Sequence, residues 1–140
     1  MSVKGINTVT VYGASSPNID ITYIDAAKRL GTIFAQSGIS VVTGAGSTGL
    51  MAAIEDGVLE SGGTAIGIIP EFMVREGWMH KSLTKVIETE DMHKRKELMA
   101  QMADAVVALP GGPGTFEELM EIVKPCGFYK NKAKNIIATA

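Results

Sequence analysis

Glu118 and Arg95 are the two ionisable residues whose settings point to chemistry rather than to solvation. Glu118 closes the stretch Leu109-Pro110-Gly111-Gly112-Pro113-Gly114-Thr115-Phe116-Glu117-Glu118. Its glycines and prolines make a tight turn with little side-chain bulk. Phe116, Leu119, Met120 and Val123 then recur at helical spacing, so a helix opens directly after the turn. The N–H groups at that helix start have no partner within the helix, and the helix dipole favours negative charge there. Gly111, Gly112, Gly114 and Thr115 thus form a candidate phosphate cradle with a carboxylate one turn away. The same letters also fit a capping box, in which Glu118 reaches back to the N–H of Thr115. Spacing alone leaves both readings open.

Arg95 bears on that choice. On the helix after Asp91 the apolar stripe reads Met92, Arg95, Met99, Met102, which turns Arg95 toward the core. It also lies near the helix N-terminus, where the dipole opposes a cation. A buried guanidinium in that position needs an anionic partner. Glu118 or a bound phosphate is the expected one, and an ion pair with some other carboxylate is the structural alternative. Lys96 points about 100° further round the helix, toward a second anion or solvent.

A second glycine loop, Gly44-Ala45-Gly46-Ser47-Thr48-Gly49, spells G-x-G-x-x-G between a strand and a helix, and Glu71 follows roughly 20 residues on. That is a dinucleotide fingerprint, yet glycine-rich turns before helices produce it often. A mononucleotide or phosphate site is the preferred reading, with a dinucleotide site and a purely structural turn as alternatives. The chain leaves little length for the substrate domain of a dehydrogenase. His80 and His93 lack a second ligand at metal spacing and read as polar surface or loop residues. Ser15 has no neighbouring His and Asp order to make it a nucleophile. Met92, Met99 and Met102 read as core. Trp78, with Phe72 and Met73 in an irregular segment, fits either core or a partner-subunit surface.

The elements that must hold these residues alternate. Strands are predicted at 7–12, 39–43, 64–69, 83–88, 105–109 and 135–139, the fourth nearer a sheet edge. Helices are predicted at 18–36, 50–60, 91–102 and 115–123, and 71–81 is an irregular excursion or short helix. The first helix is expected to bury Ile21, Ile24, Ala27, Leu30 and Phe34. The strands are too apolar for either face to be solvated. The fold class is therefore α/β, a Rossmann-like doubly wound parallel sheet with helices on both faces, as one domain over residues 1–140. Ligands in such sheets bind beyond the C-terminal strand ends, where every glycine loop noted above falls.

Composition narrows the function. The 140 residues carry a formal charge of −2, which gives no bulk-electrostatic case for nucleic acid or a membrane surface. Cys126 is the sole cysteine, so neither a disulfide framework nor a cysteine metal site is expected. No apolar run reaches the ~20 residues of a membrane span, and the N-terminus lacks a long apolar segment. The expectation is a soluble, cytoplasmic protein with no cofactor and no metal.

Asp91-Met92-His93-Lys94-Arg95-Lys96 followed by Pro110-Gly111-Gly112-Pro113-Gly114-Thr115-Phe116-Glu117-Glu118 resembles the LOG ("lonely guy") family, whose signature is PGGxGTxxE preceded by an M-H-x-R-K helix. The 44–49 loop with Leu50 and Met51 is similar to the family's GGGxxGLM, and Tyr12-Gly13-Ala14-Ser15-Ser16 to its first loop. The resemblance spans nearly the whole chain. It implies a Rossmann-like homodimer that hydrolyses cytokinin riboside 5′-monophosphate, and often AMP, to free base and ribose 5-phosphate. It places Arg95 and Glu118 on the catalytic pair. Substrate contacts are implied for Ser15, Gly46, Ser47, Thr48, Gly49, Met92, Lys96, Gly111, Gly112, Gly114 and Thr115. Such families are often labelled "lysine decarboxylase", but no pyridoxal-phosphate lysine site is recognisable here. A non-catalytic carrier of a phosphorylated cofactor, such as molybdenum cofactor, is the alternative, and a dinucleotide-binding module a third. Ala45 stands where the family has glycine, Pro113 at a position often aromatic, and Lys124-Pro125-Cys126-Gly127 where a Trp-containing segment is usual. Relatives continue some tens of residues past Ala140, so the domain is expected to be short at its C-terminal end.

Overall fold

The fold is seen in a computed structural model, which describes residues 5–14, 16–110 and 135–138. Short β-branched runs form β1 (Thr8–Tyr12), β2 (Ser40–Thr43), β3 (Ala65–Pro70), β4 (Lys85–Thr89), β5 (Ala105–Ala108) and β6 (Asn135–Ala138). They make one sheet in the order β4-β3-β2-β1-β5-β6, and every pairing is parallel. The α/β expectation therefore holds. β4 is the edge strand, as its alternating pattern predicted. The order steps outward from β1 to β4 and then returns to place β5 beside β1. In sheets of this kind the reversal, here between β1 and β5, is where a ligand crevice is expected at the C-terminal strand ends.

Helices α1 (Ile21–Gln36), α2 (Gly49–Glu60), α3 (Glu71–Arg75) and α4 (Met92–Gln101) connect the strands. Strand residues alternate between two apolar layers. Val9, Val11, Val41, Ala105 and Val107 meet Leu50, Ile54 and Val58 of α2 on one face. Val42, Ile68 and Val106 meet Met99 and Ala100 of α4 on the other. Thr10 also faces α4, fully buried, and its hydroxyl donates to Met99 O at 2.6 Å. That bond ties α4 to the central strand. α1 begins later than its apolar pattern suggested, because Asp20 caps it by accepting from Thr22 N–H at 2.8 Å. Ile21 then falls on the first turn and is 67% exposed, so its expected burial is corrected. Pro70 does not stop β3 short but forms its last residue, paired with Thr89. The helix predicted at 115–123 lies outside the described residues.

Candidate functional site

Arg95 is only 9% exposed, so the sequence-predicted burial holds. Asp91 starts α4 by accepting from Lys94 N–H at 2.8 Å, which sets Arg95 one turn in and facing the sheet. Its guanidinium spans two strand ends. Nε donates to Ile68 O on β3 at 3.0 Å, and Nη2 donates to Gly44 O just after β2 at 2.7 Å. Nη1 lies 3.5 Å from Met92 Sδ and 3.7 Å from Met73 Sδ. A Cβ on residue 44 would overlap the guanidinium, so glycine is needed there for the arginine to reach its seat.

Arg95 borders a cavity of about 370 Å³ at the C-terminal ends of β2 and β3. Gly44, Gly46, Ser47 and Thr48 form its glycine-loop side, and Ile69, Met73 and Trp78 its apolar side, with Met51 beneath. The structure thus brings Gly46, Ser47, Thr48 and Arg95 together, with Met92 touching Arg95. Gly49 opens α2 with φ +69° rather than lining the cavity. Lys96 is half-buried beside Arg95 and is not part of the cavity wall. Ser15, Gly111, Gly112, Gly114, Thr115 and Glu118 lie outside the described residues. The chain enters that loop from the predicted crevice, where Ala14 N–H donates to Pro110 O at 3.4 Å.

Buried polar groups behind the glycine loop fix its shape. Ala45 adopts φ +65° with no exposed surface. Its N–H donates to Thr43 Oγ1 at 3.1 Å, and the Thr43 hydroxyl in turn donates to Glu55 Oε1 at 2.6 Å. Glu55 is wholly buried, and Oε2 has no partner among the described residues. Burial pushes its carboxyl up to about 8, against the opposing pull of the Thr43 bond. The carboxyl is therefore protonated near neutrality. Sequence reading missed this group; the available signal was an acid directly after Ile54, on the first of two adjacent acidic positions in a helix whose preceding residues are apolar.

Residues 71–80 run from the end of β3 along the cavity mouth. Met79 forms an antiparallel bridge with Gly46, and His80 N–H donates to Ala45 O at 2.8 Å. Ser82 N–H donates to His80 Nδ1 at 3.1 Å, so the ring proton sits on Nε2, which faces Asp56 Oδ1 at 2.7 Å. His80 is thus a loop residue, as one of the two sequence readings had it, but a largely buried one that clasps the loop to α2. A second hollow of about 440 Å³, between α1 and Leu109–Pro110, is walled chiefly by apolar side chains. Among the described residues Arg29 and Tyr23 are its polar lining, whereas the first cavity gathers Ser47, Thr48 and Arg95 and is taken as the candidate site.

A family model described as "Possible lysine decarboxylase" matches residues 51–137. A cytokinin riboside 5′-monophosphate phosphoribohydrolase of Rhodococcoides fascians is 39% identical over 129 residues, which are 85% of this chain and 65% of that protein. An Arabidopsis thaliana protein of the same name is 41% identical over 115 residues, 82% of this chain and 54% of its own. The chain spans between about half and two thirds of the length of these relatives. Among solved structures, a Moco carrier protein of Chlamydomonas reinhardtii superposes with a TM-score of 0.76 at 25% identity, covering 96% of this chain and 78% of that one. A molybdenum cofactor binding protein of Rippkaea orientalis gives 0.75 at 20% identity, covering 99% and 80%, a likeness of fold.

Proposed function

Because the chain belongs to the family described as possible lysine decarboxylase, and its relatives carry phosphoribohydrolase names, we propose that it hydrolyses the N-glycosidic bond of a nucleoside 5′-monophosphate. Cytokinin riboside 5′-monophosphate and AMP are the substrates meant, and free base and ribose 5-phosphate the products. The observation that carries this reading is the Arg95 guanidinium, buried and clamped by two strand-end carbonyls on the wall of a nucleotide-sized cavity. The two carbonyl bonds also tie α4 to the strand ends, and the same clamp holds the cation at the cavity wall.

Cleavage of the bond develops positive charge on the ribose, as in glycoside hydrolysis. Glu118 would stabilise that oxocarbenium character and orient the attacking water. Arg95 would keep Glu118 ionised and positioned, or contact the ribose hydroxyls. The amides of Gly111, Gly112, Gly114 and Thr115 would grip the 5′-phosphate, and Ser15, on the loop that resembles the family's first, would add a substrate contact, so that remote binding energy fixes the sugar. Gly46, Ser47, Thr48 and Gly49 supply the second nucleotide-contacting loop, and Met92 and Lys96 flank the arginine. A homodimer and a cytoplasmic location belong to the same reading, since nucleoside monophosphates are intracellular metabolites.

The test incubates the full chain with AMP and with N6-isopentenyl-AMP and follows release of free base by chromatography. Base release that falls at least 100-fold in Glu118→Gln is expected. No release from any nucleotide, or release undiminished in that variant, rejects the assignment. The likeness to molybdenum cofactor carriers supports a second reading, a non-catalytic carrier, which binding of a phosphorylated ligand without cleavage would favour.

A further inference from the structure

Trp78 is the chain's only tryptophan and is 53% exposed, yet it is not on a loose loop. Its own N–H donates to Met73 O at 3.3 Å. The next two residues are fastened to the glycine loop through the Met79–Gly46 bridge and the His80–Ala45 bond, and the His80–Asp56 contact anchors the turn to α2. A large aromatic ring is thereby held at the mouth of the cavity that Arg95 borders. A single exposed apolar side chain is ordinary on a protein surface; what sets Trp78 apart is its place on the cavity lining.

The cavity is divided chemically. Ser47, Thr48 and Arg95 make one side able to receive charged and hydroxylated groups, while Ile69, Met73 and Trp78 make the other apolar and aromatic. A phosphate or ribose placed on the apolar side would lose hydration without replacement partners. A planar heterocycle placed there keeps its π-face in contact with an indole, a sequence-tolerant stacking arrangement. We propose that Trp78 is the specificity-determining residue for the leaving base. Its indole stacks on the purine, and the adjoining Met73 and Ile69 receive an apolar substituent on that base. The proposal rests on the nucleotide-hydrolase reading above and deepens it.

The test uses Trp78 as its own reporter, since no other indole contributes to the emission. Titration of the wild-type chain with AMP or N6-isopentenyl-AMP is expected to change the tryptophan emission saturably. Ribose 5-phosphate, which lacks the base, is expected to leave it unchanged. In kinetics, Trp78→Ala should raise KM for both nucleotides about tenfold or more, with a smaller change in kcat, and Trp78→Phe should restore most of the loss. Inhibition by ribose 5-phosphate should be the same in all three proteins. Base release with no emission change and no KM effect overturns the role of Trp78 while leaving the hydrolase reading intact. A nucleotide-dependent emission change without base release keeps the contact and overturns hydrolysis. If Trp78→Ala instead lowers activity only as it lowers the sedimenting mass, the ring is a subunit contact and the proposal falls.

Discussion

At the scale of single residues, Arg95 and Glu55 show two ways in which an ionisable group is held in the interior of this fold. The Arg95 fork uses Nε and Nη2 for two carbonyls on different strands, so its position depends on planar geometry as well as on charge. A lysine has one nitrogen and cannot make both bonds along those directions. Arg95→Lys is therefore expected to lower kcat/KM for AMP about 10²-fold, the size of a lost preorganised donor. Activity within threefold of the parent would show that only the charge matters. Glu55 behaves in the opposite sense, since burial keeps it protonated up to about 8 against an ordinary 4.5. Between those two values the folded chain binds a proton that the unfolded chain has released. Stability therefore declines as pH rises through that window and levels above it. Glu55→Gln keeps the shape and removes the titration. The stability difference between variant and parent, read from urea midpoints, should move in favour of the variant between pH 5 and pH 8. A pH-independent difference would mean that Glu55 ionises freely in the folded state.

At the scale of elements, close backbone approach and two left-handed residues, Ala45 and Gly49, position the glycine loop. α1 and α2 meet where a Cβ on Gly57 would overlap Lys28 O and one on Gly31 would overlap Ile54 O. Gly57→Ala gains about 1 kcal/mol of helix propensity. Overpacking against backbone that cannot rotate away costs about 1–3 kcal/mol, with strain on both helices placing it at the upper end. The net expectation is a loss of about 2 kcal/mol in chemical denaturation, and a gain would disprove the close crossing. Ala45→Gly relieves about 1–2 kcal/mol of left-handed strain, but it loses a buried methyl and adds unfolded-state freedom. Stability should stay within about 1 kcal/mol of the parent, which accounts for alanine being tolerated where the family has glycine. The alternation of strands and helices was legible because it is local and periodic, down to β4 at the sheet edge. The stripe that turned Arg95 inward was legible for the same reason. Ile21 was misplaced because a cap, not the apolar period, decides where α1 starts. Glu55 and His80 were illegible because their partners, Thr43 and Asp56, are 12 and 24 residues distant in sequence. The pairing predicted for Arg95 with Glu118 falls outside the described residues, so the cradle half of the site rests on sequence.

At the scale of the whole molecule, the strand order predicts both where the structure is most persistent and where a ligand acts on it. β1 is hydrogen-bonded to β2 on one side and β5 on the other, and its residues from Val9 to Tyr12 are buried. β4 pairs only with β3, and most of its residues are exposed. Openings that release β4 need not disturb β1, whereas those that release β1 must separate both halves of the sheet. Native-state hydrogen exchange should therefore give β1 amides the highest opening free energies, with β4 exchanging at least about tenfold faster. Saturating AMP adds a second expectation. Its protection should appear at residues 44–48, after β2, and at residues 69–73, spanning the end of β3 and the start of α3, because those segments contribute to the cavity lining with Arg95. The outer half of α1, around Ile33, should be unchanged. Protection confined to α1 and Leu109–Pro110 would move the site to the hollow between them. Uniform protection would mean that binding is felt only through global stability, as linkage requires of any ligand selective for the folded state.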